Sequence, residues 1–192
     1  MMRNARLLAG ALLLAAVSLQ AAHAQQGGRA SDAKTGSETV AVSEFIGREL
    51  INPRGESLGT ISEVVFDVRT GALVSVVSGS LAFPADDLRP QGERYVLRSK
   101  YEPRIFAQPQ WPAMRASTLL DREVVDRLHR DFGEIRDLVI DLRAPEVRSA
   151  VVDRRDDWAA GQSLVTLPLE AFSLPRDLPD KVAINYSRER YE

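Results

Sequence analysis

The sequence predicts an all-β protein: two small β-barrels in tandem, behind a cleaved signal peptide and a flexible linker. Three observations predict it. A nine-residue strand pattern occurs twice, as Gly59-Thr60-Ile61-Ser62-Glu63-Val64-Val65-Phe66-Asp67 and as Gly133-Glu134-Ile135-Arg136-Asp137-Leu138-Val139-Ile140-Asp141. An offset of 74 aligns residues 43–77 with 117–151 without a gap, and ten of those thirty-five positions are identical. Chance similarity does not run that long, so the chain holds a duplicated unit. The apolar runs are also short and separated by Gly, Pro, Asn and Asp. Strands this short must close on themselves or pair with a neighbour to hide their edges.

Residues 1–24 read as a secretory signal. Arg3 and Arg6 form its charged region, Leu7 to Leu19 its apolar run, and Ala22-His23-Ala24 a small-x-small cleavage site. The run falls short of the ~20 residues of a membrane span; an uncleaved anchor is the alternative. The composition looks bacterial, so the expected address is the periplasm. Cleavage after Ala24 leaves 168 residues, with 23 Lys+Arg against 27 Asp+Glu. That balance makes no electrostatic case for nucleic acid, which wants a basic patch. Cysteine is absent, which excludes disulfides, thiolate nucleophiles and thiolate metal sites. The fold must rest on apolar burial, and 44 % hydrophobic composition supplies it. Position 25 is Gln, where a lipoprotein would carry Cys, so no lipid tether is expected. Residues 25–39, rich in Gln, Gly, Ser and charge, read as a flexible linker.

The first unit is expected over residues 40–100. It opens on a turn-like segment from Ala41 to Gly47, with Ser43 as a cap. Glu49-Leu50-Ile51 is a short strand, and Asn52-Pro53-Arg54-Gly55 a turn, since Pro fixes φ early and Gly permits positive φ late. The first nine-residue stretch follows as one strand. Val64, Phe66 and Val68 share one face of it, Val65 and Asp67 the other. Arg69-Thr70-Gly71 turns the chain into Leu73 to Val77, a β-branched returning strand. Leu81 to Phe83, ended by Pro84, and Tyr95 to Leu97 are further strands. Residues 101–115 hold Pro103, Pro109 and Pro112, which bar a helix or central strand; this is the connector. Phe106 and Trp111 within it are expected to pack and fix the two halves. The second unit spans 116–174. Phe83-Pro84-Ala85-Asp86 matches Leu167-Pro168-Leu169-Glu170 at an offset of 84, so this copy carries ten extra residues within 152–164. Residues 175–192 read as a tail, with Val182 to Ile184 a last edge strand.

Phe45-Ile46-Gly47, Asn52 to Gly55, Leu58-Gly59-Thr60-Ile61, Val64 to Asp67, Gly71, Val74 to Val77 and Phe83-Pro84 resemble the PRC-barrel, a small β-barrel named from the photosynthetic reaction-centre H subunit. The second copy resembles it through Leu119-Leu120, Gly133-Glu134-Ile135, Asp137 to Asp141 and Leu167-Pro168. That copy has Asp121, His129 and Pro145 in place of Gly47, Gly55 and Gly71, so those turns are expected to differ. The resemblance implies an adaptor or docking module and supplies no catalytic residues.

The search for chemistry ends on fold roles. His129, the one histidine after the signal, would be a general base in a catalytic reading; flanked by Arg127 and Arg130 in a turn, it reads as a solvated turn residue. Asp67 and Asp141 would be paired carboxylates; each precedes a turn, and bonding of backbone amides explains both. Ser43 and Ser117 read as caps, having no base nearby. Arg48, Glu49, Arg122 and Glu123 read as surface or inter-strand pairs. Asp153-Arg154-Arg155-Asp156-Asp157-Trp158 fills the extra loop. It reads as a polar hairpin tip with internal ion pairs, as a partner-docking loop anchored by Trp158, or as Ca²⁺ ligands, the last opposed by the interspersed arginines. The expected protein is an exported non-catalytic binding or assembly module of the cell envelope without a cofactor. Its candidate partner-binding residues are Trp158, Arg154, Arg155, Phe106 and Trp111, and Gly59, Asp67, Gly133 and Asp141 are its structural repeat positions. The alternative is a small-ligand or metal-ion sensor, binding between the barrels or at the Asp-rich loop. Whether the barrels pack within a chain or between chains is left open.

Overall fold

A computed structural model describes residues 39–98, 103–155 and 164–186. Strands dominate, as expected. The first copy comprises β1 (Thr39–Ala41), a one-turn helix α1 (Val42–Phe45), β2 (Glu49–Ile51), β3 (Ser57–Thr60), β4 (Glu63–Asp67), β5 (Leu73–Ser78), β6 (Leu81–Pro84), β7 (Leu88–Gln91) and β8 (Arg94–Leu97). The connector carries β9 (Arg104–Ile105) and β10 (Ala113–Arg115), followed by a 3-10 turn over Ala116–Thr118. The second copy comprises β11 (Glu123–Val125), β12 (Asp131–Asp141), β13 (Glu146–Arg154), β14 (Leu164–Pro168), β15 (Phe172–Ser173) and β16 (Lys181–Ile184). The first copy forms two sheets, in the orders β3-β2-β8-β7 and β10-β4-β5-β6-β9. The second forms one, in the order β14-β13-β12-β11-β16-β15, with β1 added on β12.

That β1 lies on β12 shows how the copies are joined. Thr39 stands opposite Asp141 and Ala41 opposite Val139. In return β10, which leads into the second copy, pairs with β4 of the first, Ala113 opposite Asp67 and Arg115 opposite Val65. Under the offset of 74 these are one pairing made twice: the two copies exchange their leading strands. The exchange is locked by side chains. Ser43 donates its N–H to Asp137 Oδ1 at 3.1 Å and its hydroxyl to Asp137 Oδ2. Ser117 donates its N–H to Glu63 Oε1 at 3.3 Å and its hydroxyl to Glu63 Oε2. The two serines are therefore clamps between copies, and the caps expected from sequence are not formed: α1 has no side-chain cap. Between the clamps, Leu73 N–H donates to Pro145 O and Val147 N–H to Gly71 O, each at 2.7 Å, and Ala72 bridges Glu146. These pairs too exchange under the offset, so a pseudo-two-fold axis runs through the Ala72–Glu146 bridge. Gly71 is required there. Its φ is +77°, and a Cβ would lie 2.5 Å from Val147 O.

The two copies thus meet within one chain and share one apolar core. Val42, Phe45, Phe66 and Val76 of the first copy, and Phe132, Leu138, Ile140 and Val152 of the second, are fully buried in the same cluster. Val65 is buried as well, at 3 % exposure, so β4 is buried on both faces, with the clamp carboxylate Glu63 beside Val65, and only Asp67 remains half-exposed. The expected boundaries shift with the exchange. Residues 113–115, placed in the connector, form a strand of the first copy's sheet. The tail expected over 175–192 contains β16, which runs parallel to β11 with Val182 opposite Val124, as β8 runs parallel to β2 with Tyr95 opposite Leu50. Val182 and Ile184 are 0 % and 1 % exposed, so the second copy reaches Ile184 and this strand is interior to its sheet.

The nine-residue stretch, expected as one strand, behaves differently in the two copies. In the first it breaks between β3 and β4; in the second β12 runs through, with a register shift between Ile135 and Asp137. The hydrogen bonds at the break are nonetheless shared. Ile61 N–H donates to Arg48 O at 2.9 Å and Ile135 N–H to Arg122 O at 3.0 Å. Two of the three turns expected to differ keep the same shape, while the third, Pro145 against Gly71, does not. Asp121 has φ 61° and His129 φ 58°, the left-handed region that Gly47 and Gly55 occupy. Asp121 N–H bonds Ile135 O at 2.8 Å as Gly47 N–H bonds Ile61 O at 2.7 Å. Asp and His are among the side chains that tolerate this region, at some strain, and the flanking strand pairs impose it.

Asn52 and Asp126 organise equivalent turns. Asn52 Oδ1 accepts the N–H groups of Arg54 and Glu56, both at 2.9 Å. Asp126 Oδ1 accepts those of Leu128 at 2.8 Å and Arg130 at 2.9 Å, and its Oδ2 accepts Arg130 Nε at 2.8 Å. Burial pushes the Asp126 carboxyl up, but the Arg130 side chain, the Arg130 and Leu128 N–H groups and the Arg130 charge together hold it below the usual carboxylate range.

Two predictions test this frame. Glu63 is 8 % exposed, whereas Asp137 is only half-buried. Glu63→Ala should therefore destabilise by about 2–3 kcal/mol and Asp137→Ala by about 1 kcal/mol in urea unfolding. Adding Ser117→Ala to Glu63→Ala should add little, because the clamp is already gone; fully additive losses would refute it. Asp126→Asn should keep the turn, as Asn52 does, and lose about 1.5–3 kcal/mol at neutral pH with the Arg130 pairing. A carboxyl whose folded pKa lies below its unfolded value stabilises above the unfolded pKa and ceases to as pH falls through the folded one. The gap between wild type and Asp126→Asn should accordingly narrow below about pH 4. Melts at neutral and acid pH check this, and a constant gap contradicts it.

Candidate functional site

The repeat-equivalent polar residues hold the fold. Asp67 Oδ1 accepts the N–H groups of Arg69 at 2.8 Å and Thr70 at 3.2 Å, and Asp141 Oδ1 those of Arg143 at 2.8 Å and Ala144 at 3.3 Å. Both are turn acids. Gly59 has φ +99° and Gly133 φ +152°, and a Cβ on Gly133 would sit 2.1 Å from Asp153 O. Arg48 Nε donates to Glu44 O at 3.0 Å and Arg122 Nε to Thr118 O at 3.1 Å, so these arginines serve the backbone of the turn before them rather than their glutamate neighbours. The glutamates pair across strands instead, Glu49 with Arg94 at 3.8 Å and Glu123 with Lys181 at 2.7 Å. His129 is an exposed turn residue.

Beside the pseudo-two-fold axis lies a groove of about 980 Å³. The β4–β5 turn supplies Arg69 and Gly71 to it, and the second copy supplies Arg148, Leu169, Glu170 and Phe172. Leu169 and Phe172, each 7 % exposed, make an apolar floor. Arg148 is already engaged, with Asp141 at 2.9 Å and Glu146 at 3.1 Å. Arg69 and Glu170 form no ion pair with a described residue. The groove thus offers one cation and one anion above an apolar floor. That combination can position a ligand. The sequence reading allowed for a site between the barrels but named none of these residues, because its walls are more than 70 residues apart; the one trace was Arg69, identical to Arg143 across the repeat.

The predicted partner-binding residues occupy two separate surfaces. At the end of the β12–β13 hairpin, Arg136 reaches Asp121, Glu134 and Asp153 at 3.5, 3.1 and 3.4 Å. Arg155 reaches Asp131 at 2.8 Å and Glu134 at 3.8 Å. Arg154 is half-buried beside them. The described residues of this segment ion-pair across to β12 rather than within the loop, and Asp153 and Arg154 belong to β13; Asp156, Asp157 and Trp158 lie outside the described residues. Among the described residues no three acidic or histidine side chains gather as metal ligands.

The connector is the other surface. Phe106 is half-buried and its N–H donates to Ser80 O at 2.8 Å, while Trp111 is 36 % exposed. Among the connector's described residues Met114, on β10, is the buried one, and Trp111 is not. Ile105 on β9 is 83 % exposed. Ile105 lies on one edge strand of the five-stranded sheet and Trp111 leads into the strand on its opposite edge, so the connector exposes two separate apolar points.

No curated protein matches the chain. Residues 37–97 match the family described as the PRC-barrel domain. The match covers about a third of the chain and ends on Leu97, the last residue of β8. Its described part, from β1 to β8, includes the first copy's two clamp partners, Ser43 and Glu63. The protein carries a PRC-barrel domain across residues 37–97, and its second half repeats the strand pairing of that domain.

Proposed function

We propose that this is an exported, non-catalytic binding module of the bacterial cell envelope, which takes a protein partner on the surface its fold leaves unused. One observation carries the reading. Apart from Arg69, the polar side chains that recur in both copies serve turns, clamps and inter-strand pairs, whereas the connector keeps two large apolar side chains exposed, Ile105 at 83 % and Trp111 at 36 %. Isolated exposed apolar residues are ordinary, but two on a segment that runs from one edge of the sheet to the other give an extended partner two points of contact. The PRC-barrel domain is a general β-barrel module and is compatible with such a role.

The groove beside the pseudo-two-fold axis supports a second reading, a small charged ligand held between Arg69 and Glu170. The two are separable. Affinity capture from envelope extracts should recover a partner with wild type and lose it at least tenfold with Ile105→Ala plus Trp111→Ala, while Trp158→Ala tests the loop. Equal recovery by all three removes these surfaces. If the groove takes a small charged molecule, that molecule at 100 times its Kd should stabilise the fold by about 2.7 kcal/mol. Melts with amino acids, dicarboxylates, Ca²⁺ and Mg²⁺ read this, and a flat response across the panel counts against the second reading.

A further inference from the structure

β14 is the outermost strand of the seven-stranded sheet, paired on one side with β13. Its counterpart in the first copy, β6, holds the same place beside β5 but is covered on its other side. There β9 adds antiparallel, Leu81 opposite Ile105 and Ala82 opposite Arg104, and Phe106 N–H closes on Ser80 O at 2.8 Å. The offset of 84 carries Ser80 and Ala82 onto Leu164 and Thr166. By this equivalence the N–H and C=O groups of Leu164 and Thr166 point away from β13, and no described residue pairs with them. One copy of the unit therefore shows how this edge is satisfied, and in the other no described residue satisfies it.

Edges that must stay monomeric are ordinarily blunted by charge, by an internal proline or by a bulge. The residues of β14 are Leu-Val-Thr-Leu-Pro, uncharged, with proline only at the end and no bulge against β13. Leu164 is 53 % exposed. We infer that β14 is a self-association edge, on which a second copy of this chain docks its own β14 antiparallel. A two-fold centred on Thr166 sets Thr166 against Thr166, Val165 against Leu167 and Leu164 against Pro168. The threonine pair exchanges two backbone hydrogen bonds, and its side chains form a favourable cross-strand pair. No like charges meet across the junction, and the contact is isologous, so it closes at two copies. The antiparallel sense is the one β9 uses on the twin edge. This inference is independent of the partner reading above, which uses the connector.

A contact of five residues a side lies below the ~1,000 Å² of a stable interface, so the dimer is weak. Sedimentation equilibrium of the full chain over about 10 to 500 µM should show a monomer–dimer equilibrium. Thr166→Pro removes only the outward N–H, which an edge strand tolerates, and should raise the dimer Kd at least tenfold with an unchanged circular dichroism spectrum. Thr166→Lys keeps the N–H and sets two cations opposite each other, so its weaker association should be partly restored by salt. If Thr166→Pro unfolds, Thr166→Lys alone decides. A wild type that stays monomeric throughout overturns the inference, as does a dimer that the folded variants retain. Should deletion of residues 187–192 convert a monomeric wild type into a dimer, the edge belongs to the chain's own end and self-association is again overturned.

Discussion

The structure depends on one reciprocal constraint: each copy of the repeated unit completes its sheet with a strand that leads into the other. β1 and β10 lie in the partner copy's sheet, and the serine after each strand grips a carboxylate there. Neither leading strand is long enough to be stable by itself; three residues on an edge gain little unless the side chains beside them are buried. Val42 and Phe45 follow β1, Ala116 and Leu119 follow β10, and all four are at most 1 % exposed. The exchange therefore places the start of each unit in the common core. Burial of apolar surface stabilises it, and the serine–carboxylate clamps fix its register.

Duplication lets the copies drift where the shared core does not forbid it. Gly47 and Gly55 are replaced by Asp121 and His129, yet the left-handed conformation survives, because the hydrogen bonds on either side require it. Gly71 is replaced by Pro145, and here the two copies touch asymmetrically. Gly71 makes room for the Val147 carbonyl, while Pro145 contributes only its own carbonyl to Leu73. Asn52 becomes Asp126, and the charge gained is answered by Arg130. At Asp121, His129 and Asp126 the turn is kept and the chemistry that holds it changes; at Pro145 the Gly71 N–H bond to Asp67 O has no equivalent.

The same drift separates fold from function. Residues alike in both copies hold turns and strand pairs. What distinguishes the copies is the outer edge of the sheet, covered by β9 in one and paired by no described residue in the other, together with the connector and the long β13–β14 loop. The groove at the axis belongs to neither copy alone. Its cation at Arg69 comes from one and its anion at Glu170 from the other, so it exists only because the copies are joined.

Much of the fold was legible in the sequence. The duplicated Gly59–Asp67 pattern, the turn acids Asp67 and Asp141, and the strands around Leu50, Val76 and Phe83 follow from local periodicity and turn chemistry, which act within a few residues. β7, β9 and β15 were not legible, since two to four residues carry no period. The role of β16 was hidden as well, because Val182 and Ile184 are too few to signal an interior strand. The clamp serines were misread for a related reason: a serine before a turn resembles a cap, and its actual partner lies 94 residues away in one case and 54 in the other. The sequence by itself determined that the unit is β-rich and occurs twice, because a repeat is a property of chain order. Only the tertiary structure decided that the two units exchange strands and share a core, because that pairing satisfies backbone groups and buries apolar surface between segments that have no local contact.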